Sequence, residues 1–180
     1  MAIRNILRGD DPALVRKSRM VKDFDKRLHI LIDDMRETLL EANGLGLAAP
    51  QVGVLRRVAI VCDATIETED PEEQLIELIN PEILAKSGEQ EGSEGCLSIP
   101  GLYGIVKRPL LVRFKAQDRY GNDFESWVKD LTARVVCHEV DHLNGVIFTS
   151  HAQRYLSDEE LEELAAGRKA EWEAERVARE

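Results

Sequence analysis

Cysteine, histidine and net positive charge are all scarce in this chain, and each shortage removes a class of protein. The three cysteines, Cys62, Cys96 and Cys137, cannot all pair, and no secretory pattern precedes them, so a disulfide framework is not expected. Met1 to Val15 holds four charges and no long apolar block, and no segment anywhere is long and apolar enough to span a bilayer. The expectation is a protein that stays in the cytoplasm, where it is made. With 24 Lys and Arg against 34 Asp and Glu, the net charge of −10 gives no general cationic surface for a phosphate backbone, so DNA is not an expected partner. Linkers, low-complexity stretches and internal repeats are also missing. What remains is 180 residues at 43% apolar content, enough for one core. The reading is a single domain over residues 1–180, with 157–180 as a peripheral C-terminal helix.

Val21, Phe24, Leu28, Leu31, Ile32, Met35 and Leu39 recur at helical spacing and Asn43-Gly44 follows as a stop, which predicts a long amphipathic helix. Arg57 to Cys62, Leu75 to Asn80 and Leu110 to Ala116 are short runs rich in Val, Ile and Leu and read as strands. Tyr120-Gly121-Asn122 reads as a hairpin connection into Phe124 to Val128. Helical spacing returns from Leu131 to Leu143 and ends at Asn144-Gly145. Ser157 and Glu160 form a capping box for a final helix, Asp158 to about Ala178. That tail holds nine acidic and four basic residues with only a thin apolar stripe, the pattern of a solvated, partly packed helix. The acidic run Thr68 to Glu73, with Pro71, predicts an exposed loop. The fold class that follows is α+β, with mainly antiparallel strands around the helix from Leu131 to Leu143.

That central helix carries the most informative segment, Cys137-His138-Glu139-Val140-Asp141-His142. Residues four apart on a helix stack on one face, so the His138 and His142 imidazoles can hold one metal ion. Glu139 points close to that ion as a poor ligand and a good proton carrier, the arrangement that makes H-E-x-x-H a hydrolase signature. The chain has only four histidines. A random shuffle would contain this pattern roughly once in a hundred sequences.

Two histidines need a third ligand if the ion is to keep an open position. Cys96, in Glu94-Gly95-Cys96-Leu97-Ser98, is the best candidate because flanking glycine lets the backbone approach another element closely. Cys62 ends an apolar strand and reads as buried packing. Cys137 projects about 100° away from His138 around the helix and is a poor ligand. His29 and His151 have no motif around them and read as ordinary surface or half-buried residues.

Gly44-Leu45-Gly46-Leu47-Ala48-Ala49-Pro50-Gln51-Val52-Gly53 is rich in small residues and uncharged. It is either a turn after the long helix or an edge where Gly44, Leu45 and Gly46 let an extended substrate lie by main-chain bonding. It is not a phosphate cradle, since the G-x-G-x-x-G spacing breaks at Ala49 and no Lys follows. Gln51 is placed to donate its amide to an oxygen that becomes negative during reaction.

Taken together, the blocks ending in Gln51, around Cys96, and at His138-Glu139-Val140-Asp141-His142-Leu143 resemble those of peptide deformylases, in the same order. The resemblance runs from the first helix to about Phe148. It implies removal of the formyl group from the N-terminal formylmethionine of nascent polypeptides. It further implies a metal held by Cys96, His138 and His142, with Fe(II) native and zinc or nickel able to replace it. Glu139 would act as base and then acid, and Gln51 with the Leu97 backbone N–H would stabilise the oxyanion. The implied surroundings are nascent chains and the ribosome near its exit tunnel, and a monomer is expected. Cys137 departs from the family pattern, in which Gln is frequent.

Other assignments come from position. Leu131 and Val135 lie upstream on the metal helix and either line a methionine pocket or pack in the core. Asp141 either hydrogen-bonds a ligand or pairs with a cation such as Arg108, and Glu94 belongs with them behind the ligands. A thiolate ligand cancels part of the metal's charge and leaves more work to Glu139, which suits an ion that readily expands its coordination and predicts oxygen sensitivity for the iron form. Two other classes share parts of the pattern. A zinc metalloprotease would take its third ligand from a His or Glu further along. A non-catalytic, metal-stabilised binding domain would need a fourth protein ligand from Cys62 or Cys137.

Overall fold

The structure, a computed structural model, describes residues 2–167. Helix α1 runs Lys26–Glu41. Strands β1 (Gly46–Ala48), β2 (Val58–Cys62) and β3 (Leu75–Ser87) follow. Next come β4 (Gln90–Cys96), β5 (Ile99–Arg108), β6 (Leu111–Gln117) and β7 (Asp123–Lys129). Helix α2 spans Asp130–Leu143, β8 spans Ala152–Tyr155, and residues 158–167 form helix α3. The expected reach of α3 to Ala178 lies outside the described residues.

Five strands form one antiparallel sheet in the order β1-β2-β3-β6-β7, and three form a second in the order β4-β5-β8. The α+β expectation therefore holds, with α2 between the sheets. Both faces of the larger sheet are covered near β2. Leu47, Val58, Ile60 and Ile79 pack with α1, and the alternate residues Ala48, Ala59, Val61 and Leu78 pack with α2. A strand buried on both faces must be apolar at consecutive positions, which is why Val58-Ala59-Ile60-Val61 reads as a continuous run.

Several boundaries differ from the sequence reading. Helix α1 starts at Lys26, because the Asp25 side chain accepts the Leu28 N–H and caps it, so Val21 and Phe24 join the core from the preceding segment. Its end is as expected: Asn43, at φ +51°, turns the chain out. Strand β3 continues past Asn80 to Ser87, carrying bulges where it pairs with β6. The smaller sheet is an addition to the sequence reading; in β4, Gln90-Glu91-Gly92-Ser93-Glu94-Gly95-Cys96 has neither β-branched residues nor apolar alternation, and in β5 Pro100, Gly101 and Gly104 interrupt the apolar residues. Within the expected loop, residues 69–73 are exposed and Thr68 is half-buried, with a short 3₁₀ turn at Pro71–Gln74. Cys62 is half-buried rather than buried, its Sγ 3.4 Å from Gln74 Oε1.

Candidate active site

Helix α2 is held at both ends before any chemistry is asked of it. At its start the Thr132 hydroxyl donates to Asp63 Oδ1 and accepts the Ala64 N–H. At its end the Leu143 carbonyl accepts from Ser18 N–H and from Arg57 Nη1, which also donates to Asn144 Oδ1. At the C-terminal end these partners satisfy a carbonyl that the helix leaves unpaired, and at the start the Thr132 contacts tie the first turn to the segment after β2. Gly145 then turns the chain at φ +75°, where a Cβ would lie 2.6 Å from the Val15 carbonyl oxygen. One side of α2 places Ala133, Val136, Val140 and Leu143 in the core, and the other side buries charge.

The charged side faces β4 and β5. Arg108 donates to both Glu94 oxygens, at 2.9 and 3.0 Å, and to Asp141 Oδ2 at 2.6 Å. Arg134 donates to Glu94 Oε1 at 2.9 Å and to the Gly92 and Val106 carbonyls. Two guanidiniums therefore face two carboxylates, and this buried group is neutral without help from its neighbours, as a buried charge network must be. Burial alone would raise Glu94, but its bonds to His138 and Arg108 hold it down at about 2. Glu94 Oε2 lies 3.0 Å from His138 Nδ1. A carboxylate can only accept, so Nδ1 carries the proton and Nε2 is left to face the other way.

In that direction, donor atoms of Cys96, His138 and His142 all lie within 4.8 Å of one another, with Cys96 Sγ 3.2 Å from His142 Nε2. A tetrahedral ion with bonds of about 2.0–2.3 Å holds its donors roughly 3.5 Å apart, so the set fits one cation. The charges fit as well. Burial would strip the proton from His138, yet bonds to Cys96 and Glu94 raise it to about 10, whereas burial and the positive His138 lower His142 to about 3. Two imidazoles this close do not both carry an extra proton, and a bound ion would take the place of the one they compete for. A divalent ion with the Cys96 thiolate and the Glu139 carboxylate would close that charge balance.

Glu139 is 3% exposed, and burial pushes its carboxyl up to about 7 despite the nearby His138 charge. Its Oε2 has no hydrogen-bond partner among the described residues. Gln51, 1% exposed, accepts the Ala48 N–H at Oε1, which turns Nε2 toward Cys96 Sγ at 3.5 Å and Ser98 Oγ at 3.3 Å. Leu97 and Ser98 form the turn between β4 and β5, and Leu97 Cδ1 lies against Gly44. Strands β1 and β4 are each the edge of their sheet. The site thus opens between two unpaired strand edges, of the kind an extended peptide can join.

Other sequence candidates divide. Leu131 stands 42% exposed on the first turn of α2, whereas Val135 is buried in the core cluster. Leu45 is exposed, and its carbonyl accepts the Cys62 N–H. Neither Cys62 nor Cys137 joins the donor cluster, so among the described residues no fourth protein ligand closes it. His29 Nε2 lies 2.9 Å from the Arg119 carbonyl oxygen, and His151 is 3.3 Å from Asp141. Sequence reasoning missed Arg134 and Ser98. Arg134 precedes His138 by one helical turn on the same face, and that spacing was the available signal.

Known proteins share this architecture. A family model for polypeptide deformylase matches residues 3–157. The peptide deformylase of Caldicellulosiruptor bescii is 48% identical over 163 residues, covering 91% of this chain and 93% of its own length. A peptide deformylase crystal structure from Legionella pneumophila superimposes with a TM-score of 0.77 at 40% identity, covering 99% of each chain. A Met-Ala-Ser-bound class I type b peptide deformylase from Acinetobacter baumannii gives a TM-score of 0.76 at 34% identity, over 83% of this chain and 98% of that one. A helix bearing both histidines, a strand edge bearing the thiol and near-complete overlap with these relatives lead to one assignment: the chain belongs to the polypeptide deformylase family.

Proposed function

We propose that this chain removes the N-formyl group from the formylmethionine of nascent polypeptides through the Cys96/His138/His142 centre, with Glu139 as acid and base. The observation that carries the reading is the buried Glu139 carboxylate beside a three-donor cluster, between two free strand edges. A divalent ion held by those three donors would supply Lewis acidity toward water and the formyl carbonyl. The remaining work falls to the chain's own groups. Glu139 takes a proton from the attacking water and returns it to the departing amine, one carboxyl serving first as base and then as acid. Gln51 Nε2 and the Leu97 backbone N–H donate to the oxygen that becomes negative. Glu94, held by Arg108 and Arg134, keeps the His138 tautomer that leaves Nε2 free; Asp141 anchors Arg108 in turn. Gly44, Leu45 and Gly46 offer an edge to the substrate backbone, and exposed Leu131, with Val135 behind it, borders the space for the methionine side chain. Binding of Met-Ala-Ser by the Acinetobacter baumannii relative supports a peptide that begins with methionine.

Fe(II) is the ion we assign on the resemblance to the family, with zinc and nickel able to use the same donors; an ion that readily expands its coordination suits a site whose thiolate cancels part of its charge. The chain would act as one catalytic domain over residues 1–180, with 157–180 peripheral. It would work as a cytoplasmic monomer on chains leaving the ribosome. No helix among the described residues is long and apolar enough to cross a membrane.

The test is formate release from a formyl-Met peptide by protein loaded anaerobically with iron, nickel or zinc. Release is expected with a bound ion in the parent, and at a rate lowered by roughly 10²–10⁴-fold in Glu139→Gln. Metal-loaded parent that releases no formate would overturn the reading. For the iron form, activity should decay faster in air than under argon; equal lifetimes would contradict the expected oxygen sensitivity.

A further inference from the structure

We propose that Gly46 is a positioning residue for Glu139: the missing side chain at position 46 provides the space in which the carboxylate sits beside the metal-ligand cluster. The proposal rests on the acid/base reading of Glu139. A Cβ at Gly46 would lie 2.7 Å from Glu139 Cδ and 2.8 Å from Cγ, with Oε1 in contact as well. Separations below 3.0 Å are essentially never met by real Cβ atoms, so one partner would have to move. The backbone at 46 is fixed by pairing with Val61 in β2. Glu139 is fixed at its root by the helix that carries both histidines. Only the Glu139 side chain can yield, and moving it takes the carboxylate from its place.

The demand for glycine here is steric. Gly46 is absent from the glycines with positive φ, so its backbone accepts alanine without strain, unlike Gly145 at φ +75°. Gly44, two residues earlier, serves a different neighbour: its Cβ would meet Leu39 Cδ1 at 2.7 Å and Leu97 Cδ1 at 2.8 Å, and not the carboxylate. The two glycines of the motif thus part in role, one fitting the Leu97 wall and the other the proton carrier.

A double-mutant cycle tests this. Gly46→Ala is introduced into the parent and into Glu139→Ala, and each protein is assayed for formate release, metal per chain and Tm. In the parent, kcat should fall about 100-fold, the scale of a lost general base, with KM changed less than about threefold and metal retained. In the Glu139→Ala background the same change should cost less than about twofold, because the colliding side chain is gone. Equal losses in both backgrounds, or an unchanged kcat in the parent, would overturn the proposal. If Gly46→Ala does not fold, Tm decides: recovery in the double variant supports the collision, and an equally unstable double variant refutes it. Parent-like turnover by Glu139→Ala alone would instead sink the acid/base reading, so the two failures are distinguishable.

Discussion

Helices α1 and α2 are nearly equal in length, 16 and 14 residues, and both are largely inaccessible on their inward faces, yet they bury opposite chemistries. Helix α1 buries Leu28, Leu31, Ile32, Met35 and Leu39; its buried Asp34 is paired with Arg4. Helix α2 buries Thr132, Arg134, His138, Glu139 and His142 as well as its apolar residues. Transfer of apolar surface from water accounts for the first helix. The second is stable only because Arg108, Glu94, Arg57 and Asp63 meet its polar groups, and even so Glu139 Oε2 and His142 Nδ1 have no partner among the described residues. One helix stabilises the fold, and the other trades stability for reactive groups.

Breaking the reactive side should have the largest effect. Glu139→Gln should lower kcat by roughly 10²–10⁴-fold while metal content is retained, as formate release and metal analysis would report. The same variant sharpens the contrast through pH. Burial raises the folded carboxyl from 4.5 to about 7, so ionisation opposes folding increasingly as pH rises from 4.5 to about 7 and by a constant amount above that. In the metal-free protein, urea unfolding should therefore favour Glu139→Gln over the parent much more at pH 8 than at pH 5; an equal gap at both would contradict the shift.

Glu94→Ala should come next, because it leaves two buried guanidiniums without their shared carboxylate. The expected loss is about 3–5 kcal/mol of stability, with about 10–100-fold weaker metal affinity measured by chelator competition. Undiminished metal affinity would show that this group does not orient His138. The sign with pH is opposite to that of Glu139. Glu94 is held down at about 2, so its contribution is complete above about 4.5 and disappears as pH falls toward 2. The parent should lose stability across that interval by more than Glu94→Gln does.

On the α1 side, Leu28→Ala should cost about 2–5 kcal/mol by leaving a cavity, with kcat and metal content unchanged when measured well below Tm. A fall in kcat there would erase the distinction between the helices. The smallest effect is expected from Asp25→Ala, which removes the bond from Leu28 N–H to Asp25 Oδ1 at 3.0 Å; a slight drop in Tm with full activity is the outcome to look for.

Legibility follows the same division. The apolar run of β2 and the stripe of α1 could be read because local periodicity reports burial directly. Strand β4 could not, because its extended state is imposed from outside, by pairing with β5 and by Arg134 bonding the Gln90 and Gly92 carbonyls. Arg134 is illegible for a related reason: an Arg is ordinarily at the surface, and only the position of Glu94 puts it inside. Val21 and Phe24 matched the α1 period and still lie outside the helix, since the Asp25 cap, which is local, outweighs a pattern that extends past it.

By itself the sequence determined that His138 and His142 share a face with Glu139 between them, because helical spacing is a property of the backbone and needs no partner. Tertiary structure alone decided that a thiol 46 positions from His142 reaches the same point. It also decided that Arg108 and Arg134 neutralise Glu94, and that the Glu139 carboxylate comes to rest on Gly46. Encounters between distant segments have no period along the chain; they exist only once burial of the core has brought those segments together.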